Sequence, residues 1–262
     1  MKNLRIYGKA PFTIAIVHGG PGAPGEVAPV AQELAQTYGV LEPLQTKSTV
    51  DGQVQELKDV LQEYGTPPII LIGYSWGAWL CYILTAQQSA LVKKLILISS
   101  GPFEVSYATN ISNTRLSRLT EQERAVNESL LAMLFDPAVK NKNDLWAKIA
   151  TYFPKTDSFD PLPKKSSVIA FQYNIYETVW PEAAELRKSS KLLELGKKIQ
   201  CPVVAIHGDY DPHPAEGVKK PLITVLKDFR FMLIKNCGHK PWIEHQAQEK
   251  FYEILKEELR RD

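Results

Sequence analysis

Cysteine is scarce: Cys81, Cys201 and Cys237 are an odd number in 262 residues and stand at no metal-ligand spacing. A disulfide-built secreted scaffold is excluded, and the three are expected to be small buried apolar residues in a reducing compartment. An excess of charge is lacking too. With 31 basic against 29 acidic residues, the net charge of +2 carries no electrostatic signature of a nucleic-acid or membrane partner. Long apolar runs are missing, since the best of them, 69–72 and 95–98, fall far short of the ~20 residues that span a bilayer. Residues 1–8 contain neither an apolar stretch nor a small-residue cleavage site, so no secretory signal is expected and the cytoplasm is the expected location. There is no internal repeat and no low-complexity segment. What remains, 44% hydrophobic and 23% charged, is ordinary globular composition with enough chain for a sizeable core.

Short apolar runs alternate with helical patterns in the first hundred residues. The run 13–17 enters a glycine-proline loop, His18-Gly19-Gly20-Pro21-Gly22. Residues 29–38 read as a helix, 40–44 as a strand, and Val50, Val54, Leu57, Leu61 and Tyr64 recur at helical spacing up to Gly65. The runs 69–72 and 95–98 are apolar on both faces, as in strands of a parallel sheet covered by helices on each side. Between 103 and 200 helices follow helices. Thr120 to Glu123 is a capping box, Asp144 can cap a further helix, and Asp160-Pro161 and Trp180-Pro181 are expected to break the chain. Strands return at 202–206 and 230–234, with helices at 218–226 and at the C-terminus. The expected organisation is an α/β core of 1–102 and 201–262, a mostly parallel sheet flanked by helices, with a helical insertion over 103–200.

The sharpest chemical signal is Gly73-Tyr74-Ser75-Trp76-Gly77, a G-x-S-x-G pentapeptide between an apolar strand and an apolar helix. That context forces the serine into a strained turn that exposes its hydroxyl, and the flanking glycines are required because no side chain fits there. A serine hydroxyl needs a base, and such a motif predicts the order serine, acid, histidine, each at a strand end. His18 and His207 precede the expected acid and are expected to shape their loops. His245 falls inside the last helical pattern, and His213 has no strand to carry it from Asp211 to the serine. His239, directly after the strand 230–234, is the expected base. The loop Gly208-Asp209-Tyr210-Asp211-Pro212 offers two acids, of which Asp211 has the greater reach and Asp209 suits a turn cap. The backbone N–H of Trp76, at a helix N-terminus, and that of Gly20, with Gly19 as the alternative, are the expected oxyanion donors. No metal and no organic cofactor is implied.

With these residues in place the chain resembles an α/β-hydrolase from about residue 10 to the C-terminus. His18-Gly19-Gly20-Pro21-Gly22 together with Gly73-Tyr74-Ser75-Trp76-Gly77 is similar to the proline iminopeptidase branch. That resemblance implies Ser75 as nucleophile, Asp211 as acid and His239 as base, with 103–200 forming a helical cap. It also implies removal of N-terminal proline from peptides, with cap glutamates holding the substrate's free amine beside a tryptophan–glutamate motif. This sequence lacks that motif; Glu177 is the nearest substitute, and a solvated helix glutamate is its other reading. Trp146, Phe153, Phe171, Tyr173 and Trp180 are expected mostly in the core of the insertion, with one or two lining a pocket. The expected activity is hydrolysis of a small ester, an amide or the first peptide bond of a short peptide. A carboxylesterase and a hydrolase-like ligand-binding protein are the alternatives.

Overall fold

The computed structural model describes residues 3–163 and 167–261. Seven strands form one sheet: β1 (Leu4–Tyr7), β2 (Phe12–Val17), β3 (Gly39–Pro43), β4 (Ile69–Tyr74), β5 (Val92–Ile98), β6 (Val203–Gly208) and β7 (Phe229–Ile234). Their spatial order is β1-β3-β2-β4-β5-β6-β7; β1 runs antiparallel to β3 and every other pairing is parallel. The central strands are buried on both faces because their alternate residues enter different cores. Ile69, Leu71, Leu95 and Leu97 face one of them, and Ile70, Ile72, Ile96 and Ile98 face the other.

Helix α1 (Ala28–Leu34) covers the second core. Helices α2 (Val50–Tyr64) and α3 (Trp76–Gln87) cover the first. After β5, the described residues up to β6 form only helices and loops, apart from an isolated antiparallel bridge between Pro161 and Glu244. This stretch holds α4 (Ile111–Ser117), α5 (Glu121–Phe135), α6 (Lys142–Ala150), α7 (Phe153–Thr156), α8 (Tyr173–Lys188) and α9 (Lys191–Glu194). Leu134, Leu145, Ile149 and Tyr173 give it a small core of its own. Helices α10 (Glu216–Val225) and α11 (Gln248–Arg260) complete the α/β layers. Among the described residues no helix is long and apolar enough to cross a membrane.

The capping box forms, with Thr120 accepting from the Glu123 amide and the Glu123 carboxylate accepting from the Thr120 amide. Three local expectations need correction. Helix α8 continues through Pro181, because Val179 and Ala183 on its buried face hold it against the core and outweigh the backbone hydrogen bond that proline cannot make. Asp144 lies in the first turn of α6 and is not its cap. His245 precedes α11, and its backbone N–H donates to the Asp160 carbonyl at 2.9 Å, so this histidine belongs to a loop.

Candidate active site

The turn after β4 shows why its glycines are needed. A Cβ on Gly73 would collide with the Gly77 carbonyl and Ala78 Cα, and one on Gly77 would collide with the carbonyls of Val17 and His18. Between them Ser75 adopts φ +53°, a left-handed conformation that a serine holds only where its surroundings impose it. Strand β4 lies beside β2, so the same close approach brings the His18–Gly22 loop against the start of α3. His18 braces that loop: its Nδ1–H donates to the Gly19 carbonyl at 2.8 Å and its Nε2 accepts from the Gln45 amide at 3.2 Å.

The ends of three strands bring the serine, acid and histidine together. Ser75 Oγ donates to His239 Nε2 at 3.1 Å, and His239 Nδ1–H donates to Asp211 Oδ2 at 2.7 Å. Asp211 Oδ1 accepts from both the backbone N–H of His213 at 2.8 Å and its Nδ1–H at 2.9 Å. Burial opposes ionisation of Asp211, but His239, His213 and His207 hold its carboxyl well below the usual carboxylate range. Asp209 takes a different place, with Oδ1 accepting from the Cys237 amide at 3.3 Å.

His213 was expected away from the serine and stands within the site. It stacks on His239 with ring centroids 4.5 Å apart and lines the same cavity as Ser75. No strand is needed to carry it there, because the turn after Asp211 folds back on the carboxylate. Burial, followed by the neighbouring His239, pushes the pKa of His213 down to about 4. His207 Nε2–H donates to the His213 carbonyl at 2.8 Å and so fixes this turn from below. Asp211, His213 and His239 have donor atoms within 4.8 Å of one another, the spacing of a metal site. Those atoms are already joined in the hydrogen bonds just described, and a cation would have to break them.

The cavity above Ser75 measures about 640 Å³, within the range of small-molecule sites. Gly20, with φ +111°, and Trp76, the first residue of α3, both line it. Trp146, Phe153, Phe171 and Trp180 line it as well, so of the five aromatics singled out from the sequence of 103–200 four reach the cavity where one or two were expected. Glu177 does not line it; it stands half-exposed on α8, 3.7 Å from Lys142.

Charged residues that sequence spacing did not reveal complete the walls. Arg115 on α4 grips Asp157 through two nitrogens, at 2.9 Å to Oδ1 and 2.5 Å to Oδ2. The Asp157 carbonyl in turn accepts from the His239 amide at 2.7 Å. Burial works against the charged Asp157 carboxylate, and Arg115 overcomes it and lowers the pKa. Lys240 pairs with Glu26 at 2.7 Å. Glu244, fully buried, accepts from Gly238 and Phe159 amides through Oε1 at 2.8 and 2.9 Å and from Asp160 through Oε2 at 2.8 Å. One carboxylate therefore ties the loop before His239 to the 103–200 segment. Glu244→Ala is expected to lower unfolding stability by about 3 kcal/mol, since three amides lose a buried charged acceptor. Urea titration measures this, and a loss below about 1 kcal/mol would contradict it.

A pH dependence of stability follows from His18. Burial first of all pushes its pKa from 6.5 down to about 4, so folded His18 stays neutral where the unfolded residue is protonated. The unfolded state then binds more protons, and stability falls as pH drops from about 6.5 toward 4. At pH 5 this one residue removes about 2 kcal/mol relative to neutral pH. Urea titrations at pH 7.5 and 5.0 are expected to show that much smaller a drop in His18→Asn, and equal drops would contradict the assignment.

The comparisons with known proteins agree with the fold. The model of the alpha/beta hydrolase family matches residues 14–254. A proline iminopeptidase of Lactobacillus delbrueckii subsp. lactis is 25% identical, the match covering 97% of this chain and 93% of that protein. Among solved structures, VinJ superposes with a TM-score of 0.70 at 18% identity, covering 98% of this chain and 93% of VinJ. The proline iminopeptidase of Mycobacterium smegmatis gives a TM-score of 0.64 at 17% identity, with coverage of 98% and 93%. Seven-stranded topology, the strand–serine–helix turn and a family match over nearly the whole chain lead to one conclusion: this chain belongs to the alpha/beta hydrolase family.

Proposed function

We propose that the protein is a serine hydrolase that cleaves a small ester or amide through an acyl-enzyme on Ser75. The observation that carries this reading is the hydrogen-bonded line from Ser75 Oγ through His239 to Asp211, opening into the cavity. As Oγ attacks the carbonyl carbon, its proton passes to His239 Nε2, and the imidazolium that forms faces the Asp211 carboxylate. The N–H groups of Trp76 and Gly20 receive the tetrahedral oxyanion. His239 then returns the proton to the departing alcohol or amine. Water deprotonated by the same nitrogen attacks the acyl-enzyme, releasing the acid and restoring Ser75.

A peptidase reading, with the N-terminal prolyl bond as the one cleaved, draws on the name of the Lactobacillus relative. It needs a carboxylate free to meet the substrate's ammonium group. Glu26 and Asp157 both line the cavity, and both are matched by a basic side chain. The cavity's charge therefore favours the ester or amide without a terminal amine. Turnover of prolyl-p-nitroanilide and of short p-nitrophenyl esters by wild type and Ser75→Ala tests the choice. Serine-dependent ester cleavage, with little or none of the prolyl amide, is expected. Serine-dependent cleavage of the prolyl amide that is abolished by blocking its amine would establish the peptidase instead.

A further inference from the structure

Among the described residues, charges around the cavity are matched pair by pair, with one exception. Lys240 meets Glu26, Arg115 meets Asp157, and Asp211 meets its histidines. Arg187, on α8, lines the cavity and has no carboxylate partner among the described residues. Its Nε is buried without a hydrogen bond. Its guanidinium carbon lies 5.3 Å from the ring centroid of Trp79 and 5.9 Å from that of Trp180, two indoles nearly parallel at 8°. Contact with the rings offsets part of the cost of burying the cation but offers its N–H groups no acceptor. Burial lowers the pKa of Arg187 with no anion nearby to restore it. A planar guanidinium held against aromatic faces, with its buried Nε–H unmet, is arranged for an oxygen acceptor, and its fork suits the two oxygens of a carboxylate.

We infer that Arg187 receives a carboxylate of the substrate, so that the preferred ester or amide carries one negative charge away from the bond that is cleaved. A single unmatched cation among the described lining residues suits a monoanion better than a phosphate dianion, because the other two basic side chains described there are already neutralised. The inference rests on the serine-hydrolase reading of the cavity, and its test is built to fail separately from it.

Binding is read by calorimetry on Ser75→Ala protein, which cannot turn over. The probes are monomethyl glutarate, with one carboxylate, and dimethyl glutarate, its neutral counterpart. The monoester is expected to bind about 10- to 100-fold more tightly, the range for a hydrogen bond to a charged group. Adding Arg187→Gln or Arg187→Met is expected to bring the ratio close to 1, and Arg187→Lys to keep part of it. A purely structural arginine, packed on the indoles alone, would change both affinities together and leave the ratio intact. Equal binding of the two probes, no measurable binding of the monoester at millimolar concentration, a preference that survives Arg187→Gln, or tighter binding of prolinamide would each overturn the inference. Wild-type protein that shows the charge preference but hydrolyses neither ester nor amide would remove the hydrolase reading and leave the carboxylate site standing.

Discussion

Ser75→Ala is expected to lower turnover of any substrate by about 10⁶-fold, equivalent to about 8 kcal/mol of transition-state stabilisation. The size of the loss follows from the chemistry: without Oγ there is no acyl-enzyme, and only the oxyanion donors and substrate positioning remain. Stability is expected to change by less than about 1 kcal/mol, because the Ser75 side chain donates to His239 and the substitution keeps Cβ. Substrate affinity is expected to persist, since the other cavity-lining side chains are untouched. A variant with activity within 100-fold of wild type would remove Ser75 from the mechanism. Single-turnover kinetics read the chemical step, and urea titration checks the fold.

Asp211→Asn is the second large effect, expected at about 10⁴-fold in kcat. The direction of the damage can be derived from the hydrogen bonds. Two N–H donors from His213 converge on Oδ1, so the single carbonyl oxygen of an asparagine belongs at that position. Its NH₂ then takes the Oδ2 position and faces His239 Nδ1, where a second donor cannot be accepted. The His239 proton is driven to Nε2, which then points a donor at Ser75 and cannot take the serine's proton. The developing imidazolium loses its anionic neighbour as well. Proton NMR is expected to lose the downfield His239 Nδ1–H resonance along with the activity. Asp209→Asn provides the contrast, with an expected loss below about 10-fold, because Asp209 braces the Cys237 turn. A reversal of the two results would move the acid to Asp209.

Asp211 also contributes to stability. Its folded pKa is depressed, so that contribution is complete above its unfolded pKa near 4 and is lost as pH falls toward the folded value. The His18 effect begins at higher pH, as acid reaches the unfolded histidine first.

Local signals carried much of this architecture. Apolar runs of 69–72 and 95–98 read directly as two-faced strands, because burial on both sides leaves no polar position to obscure them. The G-x-S-x-G turn was legible for a steric reason: Gly73 and Gly77 sit where a Cβ would strike backbone. What escaped was tertiary. Arg115 and Asp157 lie 42 residues apart and meet only when α4 packs against α7, at whose C-terminal end Asp157 stands. Glu244 reaches Phe159 across 85 positions, and no local pattern announces such a pair. His213 reaches Asp211 through two residues of turn and no strand, so strand spacing carries no sign of it. Pro181 carries the local propensity of a break, and only the core packed against α8 carries the helix through it.

The central claim is that Ser75 is an activated nucleophile. Its most direct test is intact-mass analysis of the protein after exposure to a fluorophosphonate, with peptide mapping of the adduct. The account predicts one equivalent of label, on Ser75, forming quickly in wild type and lost in His239→Ala and Asp211→Asn at matched times. Label on another residue, or a Ser75 left unmodified by reagent that enters the cavity, would contradict it.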